Sequence, residues 1–268
     1  MPVGAGTREG TAHMPGEKAG AAEFAAQLLD PSFSPQAFAR EHAAPGTRAS
    51  STWHGTDEAL RKLGLRKGMA VRPRDLTAVV SGRHARTGAR VLPAGEVFDL
   101  IFQAPNSVSF LWSQFGPGPR ADVEDAMLDS SALMLDHLTA DYPVIGGMRP
   151  ARSLVASLVL HAVGTLSPAN GIIPPMLHSH CCLFAVMDET GTLKLPDEAT
   201  LYNRDTLSQC DAMGEARLAE GMGGLGYRVN RTSGNGGPSF EMAGIPQELL
   251  DADFWQNTGC ASASTSTA

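Results

Sequence analysis

Two apolar runs constrain this chain more than any other feature: "SLVASLVLHAV" from Ser153 to Val163 and "MLHSHCCLFAVM" from Met176 to Met187. Each is about half of what a membrane span requires. A Pro- and Gly-rich stretch separates them, so they read as two long strands joined by a loop. Upstream, "VFDLIF" is a third strand, "QAPNS" a turn, and "SVSFLW" the start of a helix. From Val123 to Leu138, apolar residues at Val123, Met127, Met134 and Leu138 form a helical stripe expected to pack on the sheet. "DETGTLKL" reads as a hairpin into another strand, Asp205 to Met222 as an amphipathic helix, "GYRVN" to "SFEMA" as a second hairpin, and Pro246 to Phe254 as a closing helix.

The opening section is helical: Glu23 to Leu29, Gln36 to His42, and "GTDEALRKLGL", which Thr56 can cap and Gly64 can end. The order predicts an α+β fold, an antiparallel palm-like sheet with helices packed on one face and a helical N-terminal section. Residues 1–20 and 257–268 are small, polar and aperiodic and are expected to be disordered, which leaves 21–256 as a single domain.

On a strand, residues two apart share a face, so His178 and His180 project together. His161 in the preceding strand arrives opposite them if the two strands pair. Three neutral imidazoles at one point make a cation site with open positions, which suits a divalent transition metal such as Zn, Mn, Fe or Cu. Cys182 shares this face and is a candidate soft ligand, although a buried thiol is the commoner role.

These residues also carry a resemblance. "FDLIFQAPNSVSFLW" resembles the strand-turn-helix signature "DLTFSAPKSVS" of the MobF-type conjugative relaxases, the TrwC/TraI relaxase family with its HUH fold. Leu160-His161 followed by "PPMLHSH" resembles that family's "RH…DPQLHTH" element, "STWHGTDEALRKLGL" its Trp-containing segment, and "LAEGMGGLGYRV" its helix-to-strand passage. The resemblance runs from about Thr52 to Phe254. It implies a palm sheet, a divalent ion on His161, His178 and His180, and Asp99 orienting a histidine or taking a proton. In the family the ion polarises a phosphate of single-stranded DNA while an N-terminal tyrosine attacks.

The chain departs from this pattern. Its tyrosines are Tyr142, Tyr202 and Tyr227, none ahead of the Trp53 segment; Asn106 replaces the signature lysine, and Leu160 the arginine before the first histidine. Between Arg152 and Lys194 there is no Lys or Arg, and the net charge is −7 with a pI near 5.6. Phosphate contacts supply most nucleic-acid affinity, so single-stranded DNA is the less expected partner. The expected site is instead an apolar pocket of Leu160, Val163, Leu166, Ile172, Ile173, Met176 and Phe184, with His54 and Tyr142 at its margin. The expected function is a metal-dependent enzyme acting on a small, largely apolar organic substrate, by a cyclase, lyase, hydrolytic or oxygen-using reaction. Two alternatives remain open: a minimal relaxase that binds or cuts single-stranded DNA without a tyrosine nucleophile, and a non-catalytic metal-binding accessory protein. With no signal peptide and no spanning segment, the location is expected to be cytoplasmic and the four cysteines reduced.

Overall fold

The computed structural model describes residues 21–29, 51–93, 97–145, 151–163, 175–201, 203–234 and 237–250. The expected helix from Gln36 to His42 and both terminal segments lie outside these residues. The helices are α1 (Ala21–Leu28), α2 (Asp57–Lys62), α3 (Pro73–Val80), α4 (Asn106–Gln114), α5 (Pro117–Asp141), α6 (Glu198–Leu201), α7 (Arg204–Gly224) and α8 (Gln247–Leu250). The strands are β1 (Ser51–Gly55), β2 (Phe98–Gln103), β3 (Ser153–Val163), β4 (Pro175–Met187), β5 (Leu193–Lys194), β6 (Val229–Gly234) and β7 (Gly237–Met242).

The architecture is α+β, as expected. The main sheet is antiparallel in the order β1-β3-β4-β2, with β5 paired to the end of β4; β6 and β7 form a separate hairpin. The two apolar runs are its central strands, paired along nearly their full length. Side chains alternate between faces, so each strand contributes to two cores.

Leu100, Phe102, Leu158, Leu160, Cys181 and Leu183 face the long helices, and the α5 stripe of Val123, Met127, Met134 and Leu138 closes over them. In α7, Thr206, Cys210, Gly214, Leu218 and Met222 recur every four residues and are all buried, which makes one ridge of that helix the contact face. The opposite face carries Val155, Val159, Cys182, Phe184 and Ala185. The helical N-terminal section folds over it through Ala25, Leu28, Leu60, Leu63, Leu76 and Val79. The sheet is thus covered on both sides, and its central strands have no polar face to show.

The Trp53 segment holds a strand that the sequence pattern does not announce. Ser51 to Gly55 pairs with β3 from Val159 to Val155. Its outer edge is clipped by Gly68 N–H to Trp53 O at 3.1 Å and Trp53 N–H to Met69 O at 3.0 Å. Thr56 does cap α2, accepting from Ala59 N–H at 3.4 Å, and Gly64 follows the helix at φ +78°. No helix among the described residues is long and apolar enough to cross a membrane.

Candidate metal centre

The register of β3 on β4 sets His161 directly across from His178 and Val159 across from His180. All three histidines therefore share the face covered by the N-terminal section. Their ring centroids stand 5.3 Å (His161–His178), 4.5 Å (His161–His180) and 5.1 Å (His178–His180) apart. One ligand atom from each lies within 4.8 Å of the others. Nitrogens around a tetrahedral Zn-like ion stand about 3.4 Å apart, given bonds of about 2.0–2.1 Å.

Each ring is held through one nitrogen by an acceptor. His178 Nδ1–H donates to Met176 O at 3.0 Å, His180 Nδ1–H to Asp99 Oδ2 at 2.6 Å, and His161 Nε2–H to Leu28 O at 2.8 Å. Such bonds select the tautomer and leave Nε2 of His178 and of His180 as the nitrogens with a lone pair to offer a cation. His178 is 4% exposed; burial, aided by His180 and His161, pushes its pKa down to about 3, and it is neutral at physiological pH. Burial pushes His180 down as well, but the Asp99 carboxylate outweighs it and leaves His180 above the usual histidine value. The donor set of three nitrogens with fixed tautomers fits a divalent transition ion. His180, with its side chain 16% exposed, is its most open side.

The "APNSVS" segment helps to place the triad. Ser109 Oγ accepts from Leu177 N–H at 3.0 Å, which pins β4 one residue before His178; Ser107 Oγ accepts from Met242 N–H at 2.8 Å, which docks the β6–β7 hairpin. The sequence reading did not find these roles, nor the Leu28 carbonyl on His161. A backbone acceptor leaves no mark in the residue types.

Several expected site residues fall elsewhere. Leu160 points away from the triad into the core under the long helices, because neighbours on a strand face opposite ways. Tyr142 follows the C-terminus of α5, where its hydroxyl donates to Gln209 Oε1 at 2.6 Å on the helix side. His54 lines a cleft along α5 and not a pocket around the triad. It sits on β1, 5% exposed, and its Nε2–H donates to Asp136 Oδ1 of α5 at 2.7 Å. Met176 and Phe184 do share the triad's face; Met176 lends its carbonyl, and Phe184 packs against Trp53 with centroids 5.7 Å apart.

Cys182 lies on the triad's face but outside the group of ligand atoms that His161, His178 and His180 bring together; burial and then Asp99 hold its thiol well above the usual value, and it donates to Asp99 Oδ1 at 3.5 Å. Leu166, Ile172 and Ile173 lie outside the described residues. Two clefts, of about 430 and 490 Å³, open along α5 and α7 and share Leu128, Asp129 and Arg217; neither is lined by a histidine of the triad.

An antiparallel palm sheet presenting a His-x-His strand and a third histidine from its neighbour defines a metal-binding protein of the relaxase-like class. A family model described as TrwC relaxase matches residues 34–253, and the chain belongs to that family. Solved structures agree on the fold. A conjugative relaxase TrwC bound to oriT DNA in a copper-bound form aligns with TM-score 0.62 at 20% identity, over 89% of this chain and 78% of that one. TrwC complexed with a 27-mer DNA comprising the recognition hairpin and the cleavage site aligns with TM-score 0.56 at 20% identity, over 75% and 71%. A metal-bound TrwC–oriT complex gives TM-score 0.55 at 21% identity, over 81% and 76%. No curated protein sequence matches.

Proposed function

We propose that this chain is a metal-dependent, DNA-processing member of the TrwC relaxase family that takes single-stranded DNA as its substrate. The observation that carries the reading is the segregation of charge. Residues 61–90 hold nine Lys and Arg (Arg61, Lys62, Arg66, Lys67, Arg72, Arg74, Arg83, Arg86 and Arg90) and one acid, Asp75, a formal charge of +8 in a chain of −7. All nine cations are exposed. This stretch packs its apolar residues on the triad's side of the sheet, so a polyanion is drawn to that side and repelled by the rest.

The absence of cations between Arg152 and Lys194 speaks for a small apolar substrate only if no other segment supplies them, and residues 61–90 carry nine. The family's substrate class is therefore the better-supported reading.

Within this reading His161, His178 and His180 hold the cation and Asp99 orients His180. A divalent ion bound there supplies Lewis acidity to a phosphate oxygen. Tyr142 bonds Gln209 and Tyr227 stacks on Phe115 with centroids 5.4 Å apart, both on the helix side and not on the triad's face. In this reading the attacking oxygen is that of water, and hydrolysis leaves one phosphate end and one hydroxyl end.

The test is anisotropy of a labelled single-stranded oligonucleotide across a salt series, for the wild type and for R66S/K67S/R72S/R74S. Each phosphate contact to a single strand contributes about 0.7 to the slope of log K against log salt. The quadruple variant is expected to lose up to about 3 from that slope. A slope unchanged by the four substitutions, or no binding at low salt, overturns the reading. Mn²⁺-dependent cleavage by wild type and its loss in His178→Ala test the chemistry separately.

A further inference from the structure

Resting on the reading of the three histidines as a metal centre, we propose that Cys182 is a positioning residue for it. Its thiol fixes the Asp99 carboxylate, which in turn fixes the ring of His180. Asp99 on β2 and Cys182 on β4 are partners in register, so their side chains stand together on the triad's face. Cys182 Sγ–H donates to Asp99 Oδ1 at 3.5 Å, while His180 Nδ1–H donates to Oδ2 at 2.6 Å.

A carboxylate held through one oxygen can still pivot about its Cβ–Cγ bond. A donor on each oxygen fixes the plane, and with it the direction of His180 Nε2. Both groups are buried, at 0% and 3% exposure, so bulk water has little access to take the thiol's place. Across the next strand Ser157 is the register partner of Cys182 and is also fully buried, which confines the thiol from the other side. A thiol is a weak donor. Its effect is therefore one of direction, transmitted through a stronger bond.

This role differs from that of a small core side chain in a way that can be measured. Co²⁺ binding is followed by its visible absorption and by calorimetry in the wild type, Cys182→Val, which keeps the bulk and removes the donor, and Cys182→Ser, which keeps a donor. Each is made alone and together with Asp99→Asn. Removing a partner one shell out from a metal ligand costs about 10- to 100-fold in affinity, and a donor one bond further out is expected to cost about 3- to 10-fold. Cys182→Val should show that loss with a shifted visible band, Cys182→Ser should stay close to wild type, and Cys182→Val should add nothing in the Asp99→Asn background. Equal losses for the valine and serine variants, a loss that persists without the Asp99 carboxylate, or no loss at all overturns the proposal.

Should the valine variant not fold, the infrared S–H stretch of the native protein, assigned by its disappearance in Cys182→Ser, gives a second readout. It is expected to move on Asp99→Asn, and an unmoved band overturns the proposal. His178→Ala serves as the control: if it binds Co²⁺ as tightly as wild type, the metal centre fails, irrespective of Cys182.

Discussion

Replacing Glu124 by Gln is expected to stabilise the protein at neutral and alkaline pH and to do nothing in acid. Glu124 stands on α5, where Trp112 Nε1–H donates to its Oε1 at 3.1 Å and Arg120 lies over the Trp112 ring, 5.3 Å from the centroid. Burial drives its pKa from 4.5 up to about 7, against the opposing pull of the Trp112 bond and Arg120. In the unfolded chain the group ionises near its ordinary value. The folded state therefore binds more protons between these two values, and stability falls as pH rises from 4.5 through about 7. A rise of this size corresponds to about 3 kcal/mol at pH 8, at about 1.4 kcal/mol per unit. That is a large share of a typical folding free energy of about 5–15 kcal/mol.

Glutamine stands in for the protonated acid and keeps a carbonyl oxygen for Trp112. Urea unfolding of wild type and Glu124→Gln, followed by tryptophan fluorescence at pH 4, 5, 6, 7 and 8, should give curves that coincide in acid and separate by up to about 3 kcal/mol at pH 8. The titrations of the distant histidines cancel in the comparison, since remote sites add. A difference independent of pH, or a variant less stable than wild type at pH 8, would refute the reasoning.

Metal affinity should fall on the acid side of the raised His180 pKa by about tenfold per pH unit, as one proton must leave for each cation bound. Calorimetry in two buffers of different ionisation enthalpy counts that proton, and Asp99→Asn should move the break to lower pH; a flat affinity from pH 5 to 8 contradicts the assignment. His178, neutral down to about 3, should add no second proton. Gly214→Ala should destabilise, because the new Cβ would sit 2.8 Å from Phe102 Cε2, a ring with no exposure. Overpacking costs about 1–3 kcal/mol, which exceeds the gain in helix propensity of about 1. Thermal melts check it, and combining the change with Phe102→Leu should restore part of the loss.

Strand parity alone brought His178 and His180 to one face, and the pairing of two apolar runs through their loop brought His161 opposite. The same parity, applied to Leu160 beside His161, should have sent that leucine to the helix side; grouping it with the pocket ignored the rule that had placed the histidines. His54 was misread because a five-residue strand next to a well-capped helix carries almost no pattern of its own. The basic stretch over residues 61–90 was legible throughout, but a net charge of −7 averaged it away. Window, not whole-chain, charge was the informative quantity. The bond from Leu28 to His161 was beyond reach, since it joins residues 133 apart through a backbone oxygen.

That last bond has a consequence for how this protein tolerates change. Because the acceptor on His161 is a main-chain oxygen at the end of α1, substituting the side chain of Leu28 cannot delete it; only moving the helix can. Variation within α1 is thereby buffered so long as the segment still docks. Any event that lifts α1 from the sheet, such as proteolysis or insertion, would take that acceptor from His161 and be felt in cation retention.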